Sequence, residues 1–181
     1  GTISFTLSGE GSENFSVDSS GNITLTSELD YETTTSYALT LTANDGVNDT
    51  VYEINFSITD VDEAPNLTNS LAAASFAENV ATGTTIATAS ASDPESQSIT
   101  YSLSGTGSGN FAVDSSGNIT LASGLDYETA TSYSLTLSAS DGVNTTTNTL
   151  AISISDINEA PILSNSLASS SFAENIATGT T

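Results

Sequence analysis

Apolar and polar residues alternate along most of this chain. In "YSLTLSAS" (133–140), Tyr133, Leu135, Leu137 and Ala139 fall on one face, and "TLAISIS" does the same with Leu150, Ile152 and Ile154. A period of two belongs to the half-buried β-strand. The same reading predicts seven strands, at 75–79, 84–92, 99–104, 111–114, 118–122, 133–140 and 147–155. Between the fourth and fifth, "DSSGN" supplies Gly117 for a positive φ angle and predicts a tight hairpin. No stretch carries an i, i+3, i+4, i+7 apolar stripe, although "LDYETAT" (125–131) can form one helical turn. Short strands with no helices to cover a sheet predict an all-β, two-sheet sandwich.

Shifted by 96 positions, the sequence superimposes on itself without a gap. Phe15 meets Phe111, "LDYET" at 29 meets "LDYET" at 125, "FAEN" at 76 meets "FAEN" at 172, and 56 of the 85 overlapping positions are identical. Such identity marks tandem copies of one supersecondary unit. Residues 1–65 read as the C-terminal part of one copy, 66–161 as a complete copy and 162–181 as the first strand of a third. The expectation is a window on a longer array. The alternative, in which "FAENIATGTT" donates a strand to a neighbour's first copy, leaves most of that copy's missing quarter unsupplied.

Charge narrows the function. The chain has 22 carboxylate residues and no Lys, Arg or His, for a formal charge of −22. Phosphate-backbone binding needs Lys and Arg to displace counterions, so nucleic acid is excluded as a partner, and anionic membrane surfaces repel the chain. Regular Ile, Val, Leu, Phe and Tyr positions, within 36% apolar content, set it apart from disordered acidic tails. No run of 18 apolar residues predicts membrane insertion in this segment. With no Cys there is neither a disulfide frame nor a thiolate metal site.

The carboxylates gather at strand ends and in one linker. Asp60, Asp62 and Glu63 lie in "DVDEAP" (60–65), which returns as "DINEAP" at 156–161. Glu78 follows the first strand, Asp93 and Glu95 sit in "SDPES", Asp126 and Glu128 in "LDYE", and Asp141 in "SDG". Any one of them is a good turn residue. Tandem sandwiches, however, bring the bottom loops of one copy against the top loops of the next. At about 4 Å each like-charge pair costs on the order of 1 kcal/mol in water and several times more when partly desolvated. A cation must bind there for the array to be stiff. Only oxygen donors are present, which excludes zinc and copper and leaves Ca²⁺ or Mg²⁺. Many carboxylates on flexible loops suit Ca²⁺, with its six to eight ligands, better than octahedral Mg²⁺.

"FAEN", "LDYE", "ASDG" and above all "DINEAP" resemble the calcium-binding signatures of cadherin repeats, and the short linker is similar to that of bacterial cadherin-like arrays. The resemblance covers the whole chain and implies tandem seven-stranded Greek-key, Ig-like sandwiches. For the 60–65 linker it implies ligands Asp30 and Glu32 from the preceding copy, then Asp60, Asp62, Glu63 and the Val61 carbonyl, then Asp93, Glu95 and Asp141 from the following copy. At the second linker it implies Glu78, Asp126, Glu128, Asp156, the Ile157 carbonyl, Asn158 and Glu159, while Asp45 belongs to a junction upstream. Two departures stand out: both linkers lack the family's extra Asn before proline, and its D-x-D is "DPE" here. They bear on the ion that depends most on the following copy, so the expectation is two ions, with the third in question.

The expected function is therefore mechanical: an extracellular, calcium-rigidified spacer of a bacterial surface adhesin or filament. Its expected partners are calcium ions and adjacent repeats of the same chain. The alternative is a binding module whose sandwich faces contact homotypic chains or glycans, or a self-assembling filament subunit. An enzyme is not expected. A carboxylate pair can hydrolyse glycosides, but these acids recur at junctions without Trp sugar platforms. Nor is there a His, Cys or Lys to activate any Ser or Thr.

Overall fold

The computed structural model describes residues 1–71, 73–163 and 174. In the first copy, β1 (Ser4–Ser8), β2 (Phe15–Val17), β3 (Ile23–Leu25), β4 (Ser36–Asn44) and β5 (Asp49–Ser57) form a three-stranded sheet, β1-β4-β5, and a β2-β3 hairpin. The second copy contributes β6 (Asn66–Leu71), β7 (Phe76–Ala77), β8 (Thr85–Ser92), β9 (Thr100–Ser104), β10 (Phe111–Val113), β11 (Asn118–Leu121), β12 (Ser132–Ser140) and β13 (Thr145–Ser155). They make two four-stranded sheets, ordered β10-β11-β8-β6 and β7-β13-β12-β9. The seven predicted strands are all present, in a Greek-key sandwich. The stretch read as the start of a third copy lies, apart from Glu174, outside the described residues.

One core fills the space between the two sheets. Leu67, Ile86, Ile119 and Leu121 from one meet Phe76, Leu135, Leu137, Leu150, Ile152 and Ile154 from the other, all buried. Alternation puts them there, as the β12 burial pattern follows the sequence pattern residue by residue. A bulge lets β8 break the rule. Its register against β11 shifts between Ile119 and Thr120, so the consecutive Ile86 and Ala87 are both buried.

The strand that the sequence pattern missed, β6, runs antiparallel to β8. After it the chain crosses to the other sheet, where Phe76 and Ala77 pair parallel with Ile154 and Ser155. "NLTNSL" has apolar residues only at Leu67 and Leu71, four apart, a spacing that a strand and a helix share, so it gives no strand signal of its own. The crossing matters for the chemistry, because it delivers Glu78 to the end of β13, where its N–H donates to the Ser155 carbonyl at 3.1 Å.

Side-chain locks recur in both copies. Phe111 packs edge-on against Tyr133 with centroids 5.2 Å apart, as Phe15 does against Tyr37 at 5.3 Å. Asn110 Nδ2 donates to the Tyr133 hydroxyl at 3.1 Å, and Asn14 to Tyr37 at 3.4 Å. The "DSSGN" turn closes as expected: Asp114 Oδ1 accepts from the Ser116 and Asn118 amides, and Gly117 stands at φ 82°. "LDYETAT" makes its single helical turn, with the Ala130 N–H donating to the Asp126 carbonyl at 2.9 Å.

Two substitutions check this packing by denaturant unfolding. Leu137, fully buried, should lose about 2–5 kcal/mol on Leu137→Ala. A Cβ at Gly117, which stands at positive φ, would clash with the Ala89 carbonyl oxygen, so Gly117→Ala should cost about 1–3 kcal/mol. By contrast Gly124→Ala, with open space around it, should be neutral or slightly stabilising.

Candidate metal centre

Sandwich ends carry the turns, and the turns carry the acids, so the fold gathers them into two knots. In the first, carboxylate oxygens of Glu32, Asp60, Glu63 and Glu95 lie within 4.8 Å of one another; in the second, Glu78, Glu128, Asp156 and Glu159 do the same. Three members of each are counterparts 96 positions apart. The fourth differs: Glu95 comes from the copy after the linker, Glu78 from the copy before it.

The other expected ligands are placed around these knots. Asp93 Oδ1 accepts from the Gln97 amide at 3.0 Å, in a turn where Ser96 adopts φ 62°. Asp141 Oδ1 accepts from the Val143 and Asn144 amides, both at 2.6 Å. Asp62 is held by two side-chain amides that the motifs did not single out, Gln97 Nε2 and Asn144 Nδ2, the latter at 2.7 Å. Asp30 and Asp126 are outside the knots and turn toward their own loops, each accepting from a threonine hydroxyl, Thr33 at 2.7 Å and Thr129 at 2.8 Å. Val61 and Ile157 are exposed, and Asn158 Nδ2 donates to the Glu159 carbonyl at 3.4 Å.

Crowding shows in the protonation of these groups. The Glu63 carboxyl is pushed up to about 7, first by its hydrogen bond with the Glu95 carboxyl, then by desolvation and by the charges of Glu95, Glu32 and Asp60. The same hydrogen bond lowers Glu95. Desolvation raises Glu32. In the second knot Glu78 is held down by the Tyr127 and Ile157 amides, which donate to its two oxygens at 2.8 and 2.7 Å. Glu159 is raised, by desolvation first, with the charges of Glu78 and Glu128 adding to it.

Asp93 Oδ2, Glu95 Oε2 and Asp141 Oδ2 are buried and have no hydrogen-bond partner. An unsatisfied buried acceptor costs about 1–3 kcal/mol, and more when charged. All three belong to the loops that face the 60–65 linker. An all-oxygen donor set on flexible loops has the chemistry that fits Ca²⁺.

Residues 1–59 and 72–155 match the Cadherin domain family. Human Protocadherin Fat 4 is 32% identical over 169 residues, which cover 86% of this chain and 3% of that protein. The Drosophila melanogaster Protocadherin-like wing polarity protein stan is 35% identical over 154 residues, 78% of this chain and 4% of that one. The chain thus spans only a few per cent of these relatives. Extracellular cadherin domains 3–6 of Protocadherin Gamma B2 resemble it with a TM-score of 0.62 and 25% identity, over 87% of this chain and 40% of theirs. Mouse Cadherin-23 EC22-24 gives a TM-score of 0.53 and 27% identity, over 86% and 55%.

The raised Glu63 carboxyl sets a pH dependence. Between the ordinary glutamate value of 4.5 and about 7, folded metal-free chain binds more protons at Glu63 than unfolded chain does. Its stability should therefore fall as pH rises through that window. A cation must displace the proton, so calcium affinity should weaken by roughly tenfold per pH unit below the raised value. Calorimetric titration near pH 6 in buffers of different ionisation enthalpy should show proton release on calcium binding, and Glu63→Gln should abolish it.

Proposed function

Because this chain belongs to the cadherin domain family, whose domains are extracellular adhesion modules that generally bind Ca²⁺, we propose that it is an extracellular spacer stiffened by calcium at its linkers. One observation carries the reading: the three buried, unpartnered carboxylate oxygens of Asp93, Glu95 and Asp141, in a chain with no basic side chain. At the first junction Glu32, Asp60, Glu63 and Glu95 hold one ion, and Asp62, Asp93 and Asp141 extend the cage toward the second copy, with Asp30 and the Val61 carbonyl at its border. At the second linker Glu78, Glu128, Asp156 and Glu159 form the core of the equivalent site, flanked by Asp126, Ile157 and Asn158. The functional units are residues 1–65, 66–161 and 162 onward. Bound calcium supplies positive charge; the chain's own residues supply everything else, namely sandwich ends that aim acids at a common point and a linker short enough to keep them there.

This role is mechanical and non-enzymatic. The setting we propose is a repetitive bacterial surface adhesin or filament, on the strength of the near-identical copies and the short linker. A second reading, a binding module, has one observation in its favour. The outward positions of β9, β12 and β13 are all Ser and Thr apart from Ala151, an uncharged face on an acidic molecule that suits a neutral glycan or a second copy.

Calcium titration calorimetry tests the first reading. Glu63→Gln and Glu95→Gln should each weaken binding by more than the roughly 10–100-fold that loss of an outer-shell partner costs, while Glu53→Gln, on exposed β5, should leave it unchanged. Absence of calcium binding by the unaltered chain contradicts the reading.

A further inference from the structure

The linker is not shared equally between the copies it joins. On the first copy's side the last backbone tie is the Ile58 N–H donating to the Thr35 carbonyl at 2.9 Å. Thr59, Asp60 and Val61 are exposed. From Asp62 onward the chain is fastened to the second copy. Gln97 Nε2 donates to Asp62 Oδ1, and Asn144 Nδ2 donates both to Asp62 Oδ2 at 2.7 Å and to the Asp62 carbonyl at 2.9 Å. The Glu63 N–H points to Glu95 Oε1 at 3.4 Å, and Pro65 is fully buried.

These bonds need no metal. Amide N–H groups are the only side-chain donors other than hydroxyls that this chain can aim at a carboxylate, and hydrogen bonds to a charged acceptor are the strong kind. Gln97 reaches Asp62 because the preceding turn, with Ser96 at φ 62° and the Gln97 amide on Asp93, throws its side chain toward the linker.

We propose that Gln97 and Asn144 are positioning residues that weld Asp62–Pro65 to the second copy in the absence of any cation. The hinge between the copies is then Thr59–Val61 alone. Asp62, Glu63, Asp93, Glu95 and Asp141 travel as one preassembled half-site; the first copy swings Glu32 against it, and Asp60 follows from within the hinge. The inference rests on the cation-site reading for its purpose but not for its geometry, since the clamp operates in chelator.

Backbone ¹⁵N relaxation of the full 181-residue chain in chelator tests it. The Asp62 and Glu63 amides should show order parameters near 0.85, like the second copy's strands, with a drop confined to residues 59–61. In Asn144→Ala and Gln97→Ala, order at 62 and 63 should fall below about 0.6 while thermal unfolding of the sandwich stays unchanged. The exchange pair Asp62→Asn with Asn144→Asp reverses donor and acceptor between the side chains but leaves the Asp62 carbonyl without its donor, so order should recover in part. Mobile Asp62 and Glu63 in the unaltered chain, or unaltered order in both alanine variants, overturns the clamp. Failure of the cation reading would look different: no ordering of residues 59–61 when calcium is added.

Discussion

Like charges that must meet, in a molecule with nothing positive to put between them, are the constraint on which the rest of this structure depends. A pair of unit charges at about 4 Å costs on the order of 1 kcal/mol in water and about 4 kcal/mol at the effective dielectric of a protein surface. The first junction brings four carboxylates that close and encloses oxygens of Asp93, Glu95 and Asp141 with no donor on them. A hydrogen bond between the Glu63 and Glu95 carboxyls, which raises the first and lowers the second, relieves part of this. Another part is relieved by the side-chain amides aimed at Asp62, and at the second linker backbone amides do the same for Glu78.

The sandwich makes the crowding unavoidable and yet does not depend on its relief. Its core is closed by Leu135, Leu137, Leu150 and Ile152 against Ile86, Ile119 and Leu121, all remote from the acids in chemical character. Three local devices then aim the carboxylates. The crossing from β6 to β7 carries Glu78 from one sheet to the other. The single turn at 126–130 holds Glu128 outward while Asp126 satisfies its own threonine. The turn at Asp93 leaves one oxygen bound to the Gln97 amide and the other free. Under the proposed function, stability of each copy and stiffness between copies are separable properties, the first apolar and local, the second ionic and confined to the linkers.

Much of this was legible in the sequence. Alternation located seven strands because each buries one face only, and the 96-residue shift located the linkers because the acids repeat with them. Eight of the expected ligands do converge in the two knots. Less legible were features set by distance in space. Leu67 and Leu71 gave β6 no period, because an edge strand that soon leaves its sheet needs few apolar residues. Gln97 and Asn144 lie 35 and 82 positions from Asp62 and are ordinary amides in a chain full of them. Asp30 and Asp126 matched motifs as well as Glu32 and Glu128 did, but a threonine three residues on captures each of them in the fold. The "SDG" segment was singled out for Asp141, whereas Asn144, three residues on, makes the longer-range contact.

In the reading proposed above, the linker is an asymmetric joint: fastened to the repeat that follows it, free over three residues toward the repeat that precedes it, and closed by a cation. Small-angle X-ray scattering of the chain with calcium and with chelator measures that closure most directly. The account predicts a single, narrow maximum dimension in calcium and a broad distribution that includes bent forms in chelator, reversibly and without loss of β structure. Superimposable curves in the two conditions would contradict it.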